Sequence, residues 1–305
     1  MSVLRPRMAA LPTELRRLIF LSARQHSTTA SPSSSVSSSE VSHFSALASS
    51  WWDPQGPSRI LHLMNPLRHQ FINRCRNSIA PPQQSPAPTS RTLTYLDVGC
   101  GGGIFAESAA RLPNTLSVTA IDPTPDVIQV AKTHMRCDPD LVQSSRLQYL
   151  NTTIEDLSTH LSPSPSSSHP ASSPTSLETG SDRQFDLVSL FEVIEHVNTP
   201  HLFLEQCMSR VKPGGWLIGS TIARTWTSYF TTKLMAEDVL RIVPRGTHDW
   251  DKYINADELE RWVARQQGWG QWRVMGVLYV PGVGWREVKG GEEWGNYFFG
   301  MRREG

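Results

Sequence analysis

From Leu93 to Ile222 short apolar runs alternate with amphipathic stretches, and glycine, proline or polar clusters separate them. TYLDV, SVTAID, RLQYLNT, FDLVSLF and WLIGSTI have the apolar, β-branched character of buried strands. Between them, IFAESAARL, TPDVIQVAKTHM and HLFLEQCMSRV space their apolar residues as one face of a helix. GCGGG turns the first strand into the first of these helices, and KPGG reads as the turn before the fifth strand. Strands that alternate with helices predict an α/β fold: a mostly parallel sheet with right-handed crossovers and helices on both faces. Beyond it, ADELERWVARQQ predicts a helix capped by Asn255, and VMGVLYV and NYFFGM read as strands.

The flanks divide the chain further. Residues 1–40 carry Arg5, Arg7, Arg16, Arg17 and Arg24 and are rich in serine. Acidic residues are sparse there, and Leu11, Leu15, Leu18 and Ile19 share one helical face. That is the composition of a mitochondrial transit peptide followed by disordered chain. Residues 41–80 predict an N-terminal helical cap, 81–92 a Pro-rich linker, and 93–300 the main domain. Within it, 161–182 reads as a disordered Ser/Pro insertion and 224–250 as a lid. The lid segment gives an apolar helical face that includes Trp226 and Phe230, with Arg224, Lys233 and Arg241 nearby. Such a face packs on the protein's own core or touches a membrane surface.

Charge excludes one class of partner. With 29 basic and 28 acidic residues the net charge is +1, so no basic excess invites nucleic acid. The 4 cysteines are scattered, which points to a reducing compartment and not to a disulfide or zinc scaffold. No apolar run reaches the length a bilayer-spanning helix needs.

The candidate chemistry gathers at strand ends. In YLDVGCGGG, Gly99 and Gly101 allow a tight turn and let a ligand approach the backbone. The N–H groups of the helix beyond can meet an anionic group. Asp122 ends the next strand, where an acid can accept both ribose hydroxyls of a nucleoside. A nicotinamide dinucleotide would require glycine where Ile104 stands. S-adenosylmethionine has no pyrophosphate, and Asp97 can hold its cationic end, so the pattern favours that cofactor. The fourth strand ends in FEVIEH. If Glu192, Glu195 and His196 lie on a helical turn, they share one face. Two carboxylates and an imidazole suit magnesium or another divalent cation, or else form an ion pair and a helix start. His248, in GTHDW, is a candidate general base or a histidine packed on Trp250. Trp51 and Trp52 read as packing residues.

WWDPQGPSRILHLMNPLRHQFI, LDVGCGGGIFAESAARL, FDLVSLFEVIEHV, KPGG and RIVPRGTHDWDKYI occur in this order. Together they resemble the ubiquinone biosynthesis O-methyltransferases, and with the leader the mitochondrial form. The resemblance covers residues 41–300 apart from the Ser/Pro insertion. It implies a class I, Rossmann-like methyltransferase fold and methyl transfer to phenolic hydroxyls of polyprenyl dihydroxybenzoate and demethylubiquinol. It places cofactor binding on Arg68, Gly99, Asp122 and Phe191, and magnesium on Glu192, Glu195 and His196. It also implies the matrix side of the inner membrane, in peripheral contact with the membrane and in company with other enzymes of the pathway. Three positions depart from the family pattern: Ser58 stands for an aromatic, and Ala223 and Val280 for asparagines. They keep one other reading in view, a methyltransferase for another small phenol. A non-catalytic cofactor-binding scaffold is a separate alternative, and Asp97, Asp122 and the E-x-x-E-H set speak against it.

Overall fold

The computed structural model describes residues 35–78, 92–161, 183–224 and 254–305. One eight-stranded sheet organises them. Its strands are β1 (Leu93–Val98), β2 (Thr115–Asp122), β3 (Leu147–Asn151), β4 (Phe185–Phe191), β5 (Val211–Ile222), β6 (Trp269–Val280), β7 (Gly284–Val288) and β8 (Asn296–Arg303). The spatial order is β3-β2-β1-β4-β5-β8-β6-β7. The first five strands pair in parallel, and β8, β6 and β7 continue the sheet antiparallel. The parallel half is the α/β sheet that the alternation predicts, and the order of its five strands is that of a Rossmann-like sheet.

Alternation along the strands sends apolar side chains to two separate cores. Tyr95, Leu187, Ile218 and Phe298 pack on one face. There they meet Met64, Phe71 and Cys75 of α2 (Arg59–Asn77), Phe105 of α3 (Ile104–Ala110) and Ile128 of α4 (Pro125–Met135). Leu96, Val188, Leu217 and Phe299 face the other way. They meet Leu157, Phe203 of α7 (Pro200–Ser209) and Leu259 of α8 (Ala256–Val263). Two short helices complete the connections, α5 (Pro139–Ser144) after α4 and α6 (Leu157–Leu161) after β3. Asn255 and Glu258 form a capping box at the start of α8, as Asn255 in the sequence suggests.

KPGG is not a turn before β5. It is a bulge inside that strand, where Phe185 pairs with Val211 and Leu187 with Trp216. Gly214 takes φ +78°, and a Cβ on Gly215 would fall 2.8 Å from the Asp186 carbonyl oxygen. Lys212 reaches Asp186 at 3.2 Å and fastens the bulge to β4. Residues 1–34 of the expected leader, the linker up to Arg91, the insertion from residue 162, His248 and the lid beyond Arg224 lie outside the described residues. Residues 35–40, expected as disordered chain, are instead part of the fold: Val36 bridges Val197, and the helix Ser38–Leu47 has already begun.

Candidate active site

The carboxyl ends of β1, β2 and β4 open onto a cavity of about 610 Å3. Ligands of open α/β sheets bind at this edge. Gly99, Gly101, Asp122, Phe191, Glu192, Glu195 and His196 all line it. The N-terminal segment forms its opposite side through α1 (Ser38–Leu47), Trp51 and the start of α2. Two further stretches, Leu278–Pro281 and Trp285, extend the lining from the β6–β7 hairpin.

The glycine turn has the backbone its sequence requires. Gly99 and Gly101 take φ +68° and +53°, the left-handed region that disfavours any side chain. Asp122 orders the turn: Oδ2 accepts from the Gly101 N–H at 3.1 Å and Oδ1 from the Thr124 N–H at 2.8 Å. The carboxylate is thus fixed in orientation while it faces the cavity.

Arg68 and Asp97 are buried beside this wall and are not part of the lining. The Arg68 guanidinium lies 4.9 Å over the Phe191 ring, which also packs on Phe105 and Phe298. Asp97 Oδ1 accepts from the Ser189 hydroxyl at 2.7 Å. Burial pushes the Asp97 carboxyl up to about 7, against the pull of that hydrogen bond and of the Arg68 charge. Burial likewise lowers the Arg68 pKa, against Glu192 and Asp97. Among the described residues, Asp97 Oδ2 and Arg68 Nε find no hydrogen-bond partner. A buried acid and a buried base, each with one open hydrogen bond, complement the ammonium and carboxylate of an amino acid.

The end of β4 departs from expectation. Glu192, Glu195 and His196 do not share a helical face. Glu192 has φ +58°, and only Ile194–His196 forms a turn of 3-10 helix. Glu192 accepts from the Ser220 hydroxyl at 2.6 Å and from the Asn296 amide at 3.1 Å. Glu195 is buried and accepts from the Thr221 hydroxyl at 2.9 Å. Its pKa is raised well above the usual range, first by burial and then by the Glu192 charge. His196 points its Nδ1 at Glu40 of α1, 3.0 Å away. Each side chain has its own partner, and among the described residues no set of three His, Cys, Asp or Glu side chains converges to hold a metal. Two neighbouring carboxylates are available to a cation. Glu40 engages Nδ1 of the imidazole, and His196 does not converge with the two acids.

Sequence reading misses Ser189, Ser220, Thr221 and Asn296, which place the acids, and Glu40, which engages His196. No spacing rule marks a serine or threonine inside a strand, and Glu40 is remote in the chain. Of the three departures, Ser58 and Val280 line the cavity, and Ala223 is buried with its N–H on the Gly295 carbonyl.

A family model described as "Methyltransferase domain" matches residues 67–269. The chain is 39% identical to "Ubiquinone biosynthesis O-methyltransferase, mitochondrial" of Candida albicans, over 88% of this chain and 86% of that one. It is 42% identical to the protein of the same name from Schizosaccharomyces pombe, over 81% and 77%. The Saccharomyces cerevisiae protein of that name is 36% identical, over 89% of each chain. Among solved structures, the plantazolicin methyltransferase BpumL in complex with SAH superposes with a TM-score of 0.51. The match covers 88% of this chain and 97% of that one, at 14% identity, and speaks for the fold.

Proposed function

The chain belongs to the ubiquinone biosynthesis O-methyltransferases, and from that membership we propose which acceptors it methylates, and where. It is an S-adenosylmethionine-dependent O-methyltransferase. Its acceptors are phenolic hydroxyls of polyprenylated catechols, a polyprenyl dihydroxybenzoate and a demethylubiquinol. It works in mitochondria, as the names of its relatives state for those proteins. Residence at the matrix side of the inner membrane, through the segment after Arg224 and alongside other enzymes of the same pathway, completes the reading. Among the described residues no helix is long and apolar enough to cross a membrane.

One observation carries the cofactor assignment: the open hydrogen bonds of Asp97 and Arg68 beside the glycine turn. In this reading Asp97 meets the ammonium of S-adenosylmethionine and Arg68 its carboxylate. Asp122 receives the ribose hydroxyls, and Phe191 and Gly99 border the amino-acid end. The phenolic oxygen attacks the methyl carbon in line. The C–S bond breaks, S-adenosylhomocysteine leaves neutral at sulfur, and the phenolic proton passes to a general base, for which His248 is the candidate. Holding methyl and oxygen in contact supplies most of what the transfer needs, because the sulfonium is already a good leaving group.

Glu192, Glu195 and His196 as placed do not fit a three-ligand metal, so no step is derived through one. Metal assistance requires the three side chains to converge, with His196 turning its Nε2 toward the two acids. That extension of the reading expects activity to vanish in excess chelator and to return with magnesium; full activity in chelator removes it. The experiment for the function as a whole is methyl transfer from labelled S-adenosylmethionine to a short-chain demethylubiquinol. Labelled methyl ether supports the reading. Cofactor binding without turnover on any polyprenylated catechol overturns the acceptor assignment.

A further inference from the structure

The two tryptophans of WWDPQG hold the glycine turn from different sides. A Cβ on Gly101 or Gly102 would collide with the Trp51 ring, so that indole rests against the turn's backbone while it lines the cavity. Trp52 is not on the cavity wall. Its Nε1–H donates to the Gly102 carbonyl at 2.8 Å. Its ring stacks on His134 with centroids 3.4 Å apart and planes 3° from parallel. His134 Nδ1 lies 2.9 Å from Oε1 of Glu107, a fully buried carboxylate. Arg111 holds the other Glu107 oxygen at 2.8 Å and reaches Asp138 at the same distance.

Glu107 belongs to α3, the helix that begins where the turn ends. The column therefore leaves the turn at Gly102 and returns to the element the turn starts. Glycines have no side chains with which to hold a conformation, and they lose the most backbone entropy when ordered. A donor fixed on the Gly102 carbonyl sets the plane of the Gly102–Gly103 peptide, whose N–H closes the turn on the Cys100 carbonyl at 3.0 Å, and so holds the shape of the backbone that borders the cavity. We propose that Trp52 is a positioning residue for the cofactor, acting through the Gly102 carbonyl from behind the turn. Stacking on His134 holds its indole in place. The inference rests on the reading of this turn as the S-adenosylmethionine site.

Trp52→Phe keeps a ring for His134 and removes the N–H. Calorimetry with S-adenosylhomocysteine should show a rise in Kd of about fivefold, the size of one net hydrogen bond, with KM for the acceptor unchanged. A Kd equal to that of the parent protein, or an acceptor KM that rises in step, overturns the proposal. Should Trp52→Phe not fold, the unaltered protein still decides. Its Trp52 indole N–H resonance should shift and exchange more slowly when S-adenosylhomocysteine binds, and no response overturns the proposal. Asp122→Ala separates the two readings. If it leaves binding intact, the cofactor reading falls and takes this inference with it. If it weakens binding while Trp52→Phe does not, only the inference falls.

Discussion

Asp97 is where a single side chain sets a measurable pH dependence. A buried carboxyl raised to about 7 keeps its proton to a higher pH in the folded chain than in the unfolded one. Between the two pKa values only the folded chain binds that proton, so this group's contribution to stability falls as pH rises, opposite in sign to a carboxylate whose pKa is depressed. An ammonium ligand prefers the ionised acid. Affinity for S-adenosylmethionine should therefore rise from about pH 6 to about pH 8, with a proton released on binding. Calorimetry in buffers of different ionisation enthalpy measures that proton. Asp97→Asn should bind more weakly and lose the slope, and an identical slope in the variant assigns the titration elsewhere. Gly99 makes a second test of one position. A Cβ there would meet Val193 Cγ2 at 2.6 Å on a backbone at φ +68°. Gly99→Ala should cost about 1–3 kcal/mol in unfolding free energy and most cofactor binding. Adding Val193→Ala should recover part of the loss, since it relieves the clash and leaves the dihedral strain. The need for glycine and for an acid at these positions was legible in YLDVGCGGG. The Ser189 hydroxyl that orients Asp97 was not, because an isolated serine in a strand looks like any other half-polar position.

At the scale of elements, α1 acts as the cover of the cavity, and the end of β4 holds it there. Glu40 meets His196, Phe44 packs edge-on against the same imidazole at 5.0 Å, and Val36 bridges Val197. Sequence reading expects helix only from residue 41 and disordered chain before it, so it misses Val36 and Glu40 and what they touch. The partner of Glu40 lies 156 positions away and depends on how β4 ends. The same blindness explains the misplaced face of Glu192, Glu195 and His196. Spacing assumed a regular turn, whereas the left-handed Glu192 breaks it before it starts. Glu40→Gln keeps the shape of the side chain and weakens its hydrogen bond to the imidazole. Amide exchange across Ser38–Leu47 should quicken and S-adenosylhomocysteine should dissociate about twofold to fivefold faster, the size of one net hydrogen bond. The melting temperature should hardly move, since neither core contains Glu40. Unchanged exchange in α1 would show that Phe44 and the Val36 bridge hold the cover without the carboxylate.

For the whole molecule, the division between legible and illegible structure follows the sheet. The parallel half could be read because its central strands are apolar on both sides and most crossovers carry a helical period; the crossover from β3 to β4 does not, and its short helix α6 went unpredicted. The antiparallel half could not be ordered: β8 inserts between β5 and β6, a pairing set by long-range register that local pattern does not encode. The N-terminal boundary is clearer in three dimensions. Residues 35–305 form one compact unit, and its first residues are already tied down. The Ser35 N–H reaches Glu155 at 3.3 Å, and the Ser35 carbonyl accepts from the Asn198 N–H at 2.9 Å. A protein that begins at Ser35 should therefore match the full chain in melting temperature and in Kd for S-adenosylhomocysteine. One that begins at Trp51 loses α1 and the Val36 bridge, and should bind the cofactor more weakly even where it still folds. In cells the two ends of this series should separate differently. If the transit peptide expected within residues 1–40 lies ahead of Ser35, the chain that begins at Ser35 stays outside mitochondria and fails to support ubiquinone synthesis, although its purified form is fully active. Restored synthesis on fusing an unrelated mitochondrial leader to Ser35 would show that the first 34 residues deliver the enzyme and contribute nothing to its chemistry.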